Sequence, residues 1–368
     1  MNNFFTYPLR IFFLNSAVFV IIASVVLAFN LGDFVALHKF IFLQSFLGAA
    51  FAGFLLTALP LWCEIEVNRK PFSIALFVIL WVAFLSCALI DESLGYAIMS
   101  AFWFVLFLVA LLWIIKAKNT ANLILIFALL GLFALSVVQI FMREARFAYA
   151  FIHLCALATL IVSFRVSLVL GNEAIKSLPN SDSLMFIPNV ALKNISCFLV
   201  FALIIATIWD KSANLNAFLS FGVGFSLMSR LSQWHYRIFF TTHYTLILYA
   251  LFLGFSVSYI ALGVAYFANA YISSAMHFLN IFVILGFVLF IFNVASLRHT
   301  ANQIFIFSLL TRISFVALFL SAISRGILMN FAGIFYITIP AILVAFAFVY
   351  FIAKFLGIYK NNDFKAND

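Results

Sequence analysis

Charge is the scarcest property of this chain: 8% of its 368 residues are Asp, Glu, Lys or Arg, against about a quarter in an average soluble protein. With 67% hydrophobic residues and a mean hydropathy of +1.23, it cannot form a water-soluble domain. Acids are scarcer than bases. The eleven Asp and Glu fall between apolar runs, at their ends or in the tail, so the buried carboxylate on which proton- or sodium-coupled carriers commonly depend is missing. Four cysteines, Cys63, Cys87, Cys155 and Cys197, stand far apart without a C-x-x-C. That spacing excludes a disulfide scaffold, a zinc knuckle and a redox pair, and leaves them as small apolar packing residues. No Gly-rich phosphate loop and no G-x-S-x-G occurs, which removes the usual enzyme signatures. A membrane β-barrel needs short segments of alternating polarity, and the apolar runs here are uninterrupted. The 20 Lys and Arg are scattered over many loops instead of forming a stripe, which excludes a nucleic-acid partner.

What the chain does have is apolar length. A helix crossing the hydrocarbon layer takes about 20 apolar residues, and cutting at charges and at Asn, Pro and Gly gives runs near 9–29, 40–62, 72–90, 96–115, 121–142, 147–170, 194–209, 214–229, 239–267, 272–296, 303–324 and 331–353. The expected fold is all-α: one polytopic integral membrane domain of about twelve helices, with the bilayer as its partner. The first run is too long for a signal-peptide core and is expected to be an uncleaved span. Residues 171–193, with Pro179 and Pro188, form the expected central cytoplasmic linker. They lie between the sixth and seventh runs, a six-plus-six division found in many transporters, although the halves show no sequence echo. Thirteen cations fall on the side of the two termini and five on the other, so the positive-inside rule orients the chain N-in/C-in. Trp62, Trp113 and Trp209 stand at run ends, as interfacial tryptophans do.

With that orientation the histidines sort by depth. His38, His153 and His277 lie on three runs in the outer half, the last two roughly 8–9 Å deep. His243 and His299 lie toward the inner side with Arg165, and His235 is an ordinary loop residue. Neutral imidazole is the commonest nitrogen ligand of haem iron and of copper, and bundle cofactors are held from facing helices. Met99, Met142, Met276 and Met329 also fall toward the outer side, where thioethers suit reduced copper, although packing is the usual role of methionine. Arg165 and Arg312 are cations inside runs that need an acceptor. Arg312, taken as mid-span, is too deep to snorkel.

Several stretches resemble the NnrS family of bacterial inner-membrane proteins. Arg10-Ile11-Phe12-Phe13-Leu14 is similar to its R-P-F-F-L-like opening, without the proline. His38-Lys39-Phe40 resembles an H-E-M-like stretch, and Gly53-Phe54-Leu55-Leu56-Thr57-Ala58-Leu59-Pro60-Leu61-Trp62 matches G-F-L-L-T-A-x-P-x-W, the most specific match. In that segment Ala49 and Gly53 make a small-xxx-small face, and Pro60 is expected to break the helix before Trp62. Ser163-Phe164-Arg165-Val166 resembles G-G-R-V, Thr242-His243-Tyr244 resembles L-H-x-x-Y, and Ala275-Met276-His277 and Arg298-His299-Thr300-Ala301-Asn302 resemble an A-L-H start and a G-H-T-G-R end at the family interval. The resemblance implies twelve spans, haem b and copper as cofactors, nitric oxide as ligand, and a role in nitric-oxide response. It carries over His38, His243, His277, His299 and Arg165; His153 rests on depth alone. His277 and His299 are 22 residues apart, roughly 33 Å of helix, and cannot share one metal. The expected arrangement is an outer site from His38 and His277, with His153 as competitor, and an inner site from His299 and His243 with Arg165. Two other readings stay open, a cofactor-free twelve-helix transporter of a small molecule and a membrane assembly or signalling partner.

Overall fold

The computed structural model describes residues 2–178, 184–234, 236–300, 306–328 and 331–362, and every element among them is helical. Twelve long helices follow one another: α1 Pro8–Ala28, α2 Phe34–Trp62, α3 Lys70–Leu89, α4 Glu92–Ala117, α5 Thr120–Phe141 and α6 Ala145–Lys176. After them come α7 Val190–Trp209, α8 Ala213–Leu231, α9 His243–Phe267, α10 Ile272–Arg298, α11 Leu309–Gly326 and α12 Thr338–Asn361. Eleven of these stretches are long and apolar enough to cross a membrane, so the chain is an all-α polytopic membrane protein. The exception is α8, whose 19 residues include Asn214, Asn216, Arg230 and three serines.

Polar caps set the helix starts. Asp33, Asp91, Ser212 and Ser308 each accept a hydrogen bond from the backbone N–H three residues on, and Asn189 accepts from Ala191 and Leu192. The Leu94 N–H holds the Asp91 carboxyl below its ordinary range, so this cap is present at neutral pH and is lost as pH falls through the lowered value. Caps also explain where run boundaries and helix boundaries part. Asp33 begins α2 six residues before the run at 40, and Ser308 begins α11 six residues after 303. The linker narrows to 177–189 because α6 continues to Lys176, and residues 179–183 of it lie outside the described set. Pro60 does not break α2. It sits within the last turn, its carbonyl accepts from Ile65, and the helix reaches Trp62 before Glu64 turns left-handed at φ 52°.

The chain folds into two compact units, and these are not the halves on either side of the linker. One comprises 1–151, 292–303 and 344–368; the other comprises 152–291 and 304–343. In the first, α1 lies along α2 so closely that a Cβ at Gly53 would stand 2.8 Å from the Phe12 Cβ. The Thr57 hydroxyl accepts from Leu9 N at 3.1 Å, which turns the most specific sequence match into a helix contact. The buried Gln44 carboxamide oxygen accepts from Trp103 Nε1 at 2.8 Å and from Ser136 Oγ at 3.1 Å, joining α2, α4 and α5. Arg10, 2% exposed, donates to the carbonyls of Tyr359 and Asn362 at 2.7 Å each, closing the C-terminal end of α12. In the second unit α8 and α9 are in close contact. Ser256 Oγ donates to the Gly224 carbonyl at 2.8 Å, and a Cβ on Gly224 would lie 3.0 Å from the Ile260 backbone nitrogen. Three of the four cysteines, Cys63, Cys155 and Cys197, are buried.

Candidate functional site

His38 lies in the Phe34–Phe40 segment that opens α2, and His277 in the Ile272–Phe278 segment that opens α10. Their local chemistry is the same. His38 Nδ1 is 2.9 Å from the Phe34 carbonyl, and His277 Nδ1 is 2.7 Å from the Ser273 carbonyl, each four residues back. A carbonyl only accepts, so both rings carry their proton on Nδ1 and their lone pair on Nε2. This is the tautomer that metal-ligating histidines have when Nδ1–H is anchored to backbone. Directly after each histidine segment the helix widens into a π-helical stretch, Ile41–Phe46 in α2 and Leu279–Leu285 in α10, a distortion frequent at functional sites. Beside His38, Lys39 and Arg143 both pair with Glu92, at 3.6 and 2.8 Å. That ion-pair cluster compensates a carboxylate at the start of α4. Met276, next to His277, is 1% exposed; Met99 is fully buried, and a Cβ on Gly48 would meet its Cε at 2.5 Å, so it packs.

The remaining sequence-derived residues fall elsewhere. His153 is completely enclosed, its Nδ1 3.1 Å from the Tyr259 hydroxyl and its ring stacked on that ring at 5.7 Å, while Nε2 has no partner. His243 is the first residue of α9, exposed, with Nε2 3.3 Å from Arg312 Nη1. His299 follows the last residue of α10 and is half-buried. Arg165 is half-buried in α6, and because that helix runs on to Lys176 it lies eleven residues, about 16 Å, from the helix end. Arg312 moves the other way. With α11 starting at Leu309, it stands in the first turn and not mid-span, where a guanidinium can reach the interface. His235, Met329, Ala301 and Asn302 lie outside the described residues.

His38 and His299 belong to the first unit, and His153, His243, His277, Arg165 and Arg312 to the second. Within the second unit the structure brings His243 to Arg312 and His153 to Tyr259. Sequence reasoning missed both partners. The start of α11 was legible in Ser308, a capping residue three positions before Thr311, but nothing in the sequence singles out Tyr259. A cavity of about 1080 Å³ also lies in this unit between α9, α10 and α11, with His243 and Arg312 at one end and Tyr271 and Ser274 at the other.

Among the described residues, no three His, Cys, Asp or Glu side chains are placed to hold a metal ion together. A single imidazole anchored at Nδ1 could serve as one protein ligand to a haem iron or to a copper ion. A family model described as NnrS protein matches residues 3–361. A comparison with curated proteins finds no match to the chain.

Proposed function

The chain belongs to the NnrS family, multi-pass membrane proteins linked to the nitric-oxide response, and from that premise we propose that it is a haem protein of the bacterial cytoplasmic membrane that acts in nitric-oxide tolerance. The observation that carries this reading is the matched state of His38 and His277, two histidines with Nδ1 held by the carbonyl four residues back and a π-helical stretch following. Either ring could hold haem iron through Nε2, and haem when bound would supply the metal that takes up nitric oxide.

The protein's own contribution is orientation. The backbone carbonyls of Phe34 and Ser273 fix which nitrogen of each ring carries the proton, so no reorganisation accompanies ligation. His153 is left to its partner Tyr259, and the excess of cations on the side of the two chain ends supports a cytoplasmic location for both. Copper remains the second cofactor of the family resemblance.

Protein purified in detergent from haem-replete cells is expected to show a Soret band, weakened or shifted in His277→Ala and in His38→Ala. A colourless preparation, or a band unchanged in both variants, would overturn the proposal.

A further inference from the structure

We propose that the groove between α9, α10 and α11 holds one anionic phospholipid, its phosphate on Arg312 beside His243 and its chains along the apolar wall. The groove is long enough to take an acyl chain. Its lining extends from His243 past Val264 to Ala268 on α9 and its end, a rise of about 37 Å against about 30 Å of hydrocarbon. The opposite wall is α11, from Arg312 to Gly326. Between the two ends the lining is apolar, with Leu246, Ala250, Val257 and Phe319 typical of it, and no Asp or Glu contributes to it. That is the profile of an acyl-chain site with a charged mouth.

The mouth is cationic, and among the described residues no carboxylate forms an ion pair with Arg312. Arg312 Nη1 meets a neutral acceptor, the His243 Nε2 at 3.3 Å, and Arg312 Nε is buried with no partner. A guanidinium in such a setting calls for an anion. Two helix starts lie at this mouth, Arg312 in the first turn of α11 and His243 as the first residue of α9, and both add positive dipole ends. A soluble anion would satisfy Arg312 but leave the apolar wall uncovered. A zwitterionic lipid would cover the wall while bringing its own cation to Arg312. An anionic phospholipid does both without that repulsion. This occupancy assigns His243 to a headgroup and is independent of haem at His38 and His277.

The test is native mass spectrometry of the delipidated full chain titrated with phosphatidylglycerol or phosphatidylcholine, with inorganic phosphate as a third arm. Expected is one phosphatidylglycerol retained at least tenfold more tightly than phosphatidylcholine, and no retention of phosphate. Arg312→Gln should bring the lipid ratio to about one, while Arg312→Lys keeps most of the preference. Val257→Trp, which fills the groove and leaves the mouth intact, should remove both lipids; it serves as the second measurement if Arg312→Gln does not fold. Equal retention of the two lipids by the unaltered chain, or an undiminished preference in Arg312→Gln, overturns the proposal. A Soret band lost in Arg312→Gln and Val257→Trp but kept in His38→Ala and His277→Ala would put haem in the groove and refute the lipid assignment and the haem ligands together. Loss of the band in the histidine variants with lipid preference intact supports both.

Discussion

Replacing Gln44 with Leu removes one oxygen and strands two donors. Trp103 Nε1 has no other role than donation, so the carboxamide must turn its oxygen toward it, and Ser136 shares that oxygen. All three residues are fully buried, so no water can take over. Orphaning a donor in a soluble core costs about 1–3 kcal/mol. Hydrogen bonds between membrane helices measure lower, about 0.6 kcal/mol on average and about 1.7 at most, because the unfolded chain in the bilayer also finds partners. Two bonds then put Gln44→Leu about 1–3 kcal/mol below the unaltered chain. The assay is a double-mutant cycle with Trp103→Phe, read as apparent unfolding midpoints in detergent at one scan rate. Once Trp103 Nε1 is gone, Gln44→Leu should cost about 0.6–1.7 kcal/mol less than it does alone. Effects that add to within about 0.5 kcal/mol would show that this oxygen does not join α2 to α4 and refute the reasoning.

Arg10→Ala removes the guanidinium that donates to the carbonyls of Tyr359 and Asn362 and is expected to destabilise by about 2–4 kcal/mol. Arg10→Lys should recover only part of this, since an ammonium cannot span two carbonyls as the guanidinium fork does; faster trimming of the chain by carboxypeptidase is the measurement. Gly254→Ala drives a methyl into the Phe282 ring, inside the π-helical stretch of α10, and should cost about 1–3 kcal/mol in thermal unfolding. Adding Phe282→Leu should return most of it, and failure to do so would mean that the contact is not the cause.

The architecture was legible because lipid imposes one rule on every crossing: about 20 apolar residues with their backbone bonds made internally. Composition could place the runs but not their ends, which are set by single polar atoms such as Asp33 Oδ1 and Ser308 Oγ. The end matters most at Arg312, where six residues separate a stranded mid-membrane cation from an interfacial one. At the candidate site, the family residues His38 and His277 were legible as residue types, but their tautomers depend on carbonyls one turn away, and the π-helical stretches leave no compositional mark. Gln44, Tyr259 and the cavity were illegible for a related reason. Each is defined by residues 59 to 106 positions apart or by three helices together, and an apolar run looks the same whether it faces lipid, protein or a groove.

The clasp of Arg10 on the end of α12 has a consequence for how the chain is made. Its partner Asn362 is 352 residues downstream, so at about 5–20 residues per second the ribosome delivers the second half of the joint about 20–70 s after the first. Throughout that interval the unit built from 1–151, 292–303 and 344–368 lacks its last helix, and Arg10 lacks the two carbonyls that α12 brings. The joint between the first long helix and the last therefore forms only after every helix between them has been made.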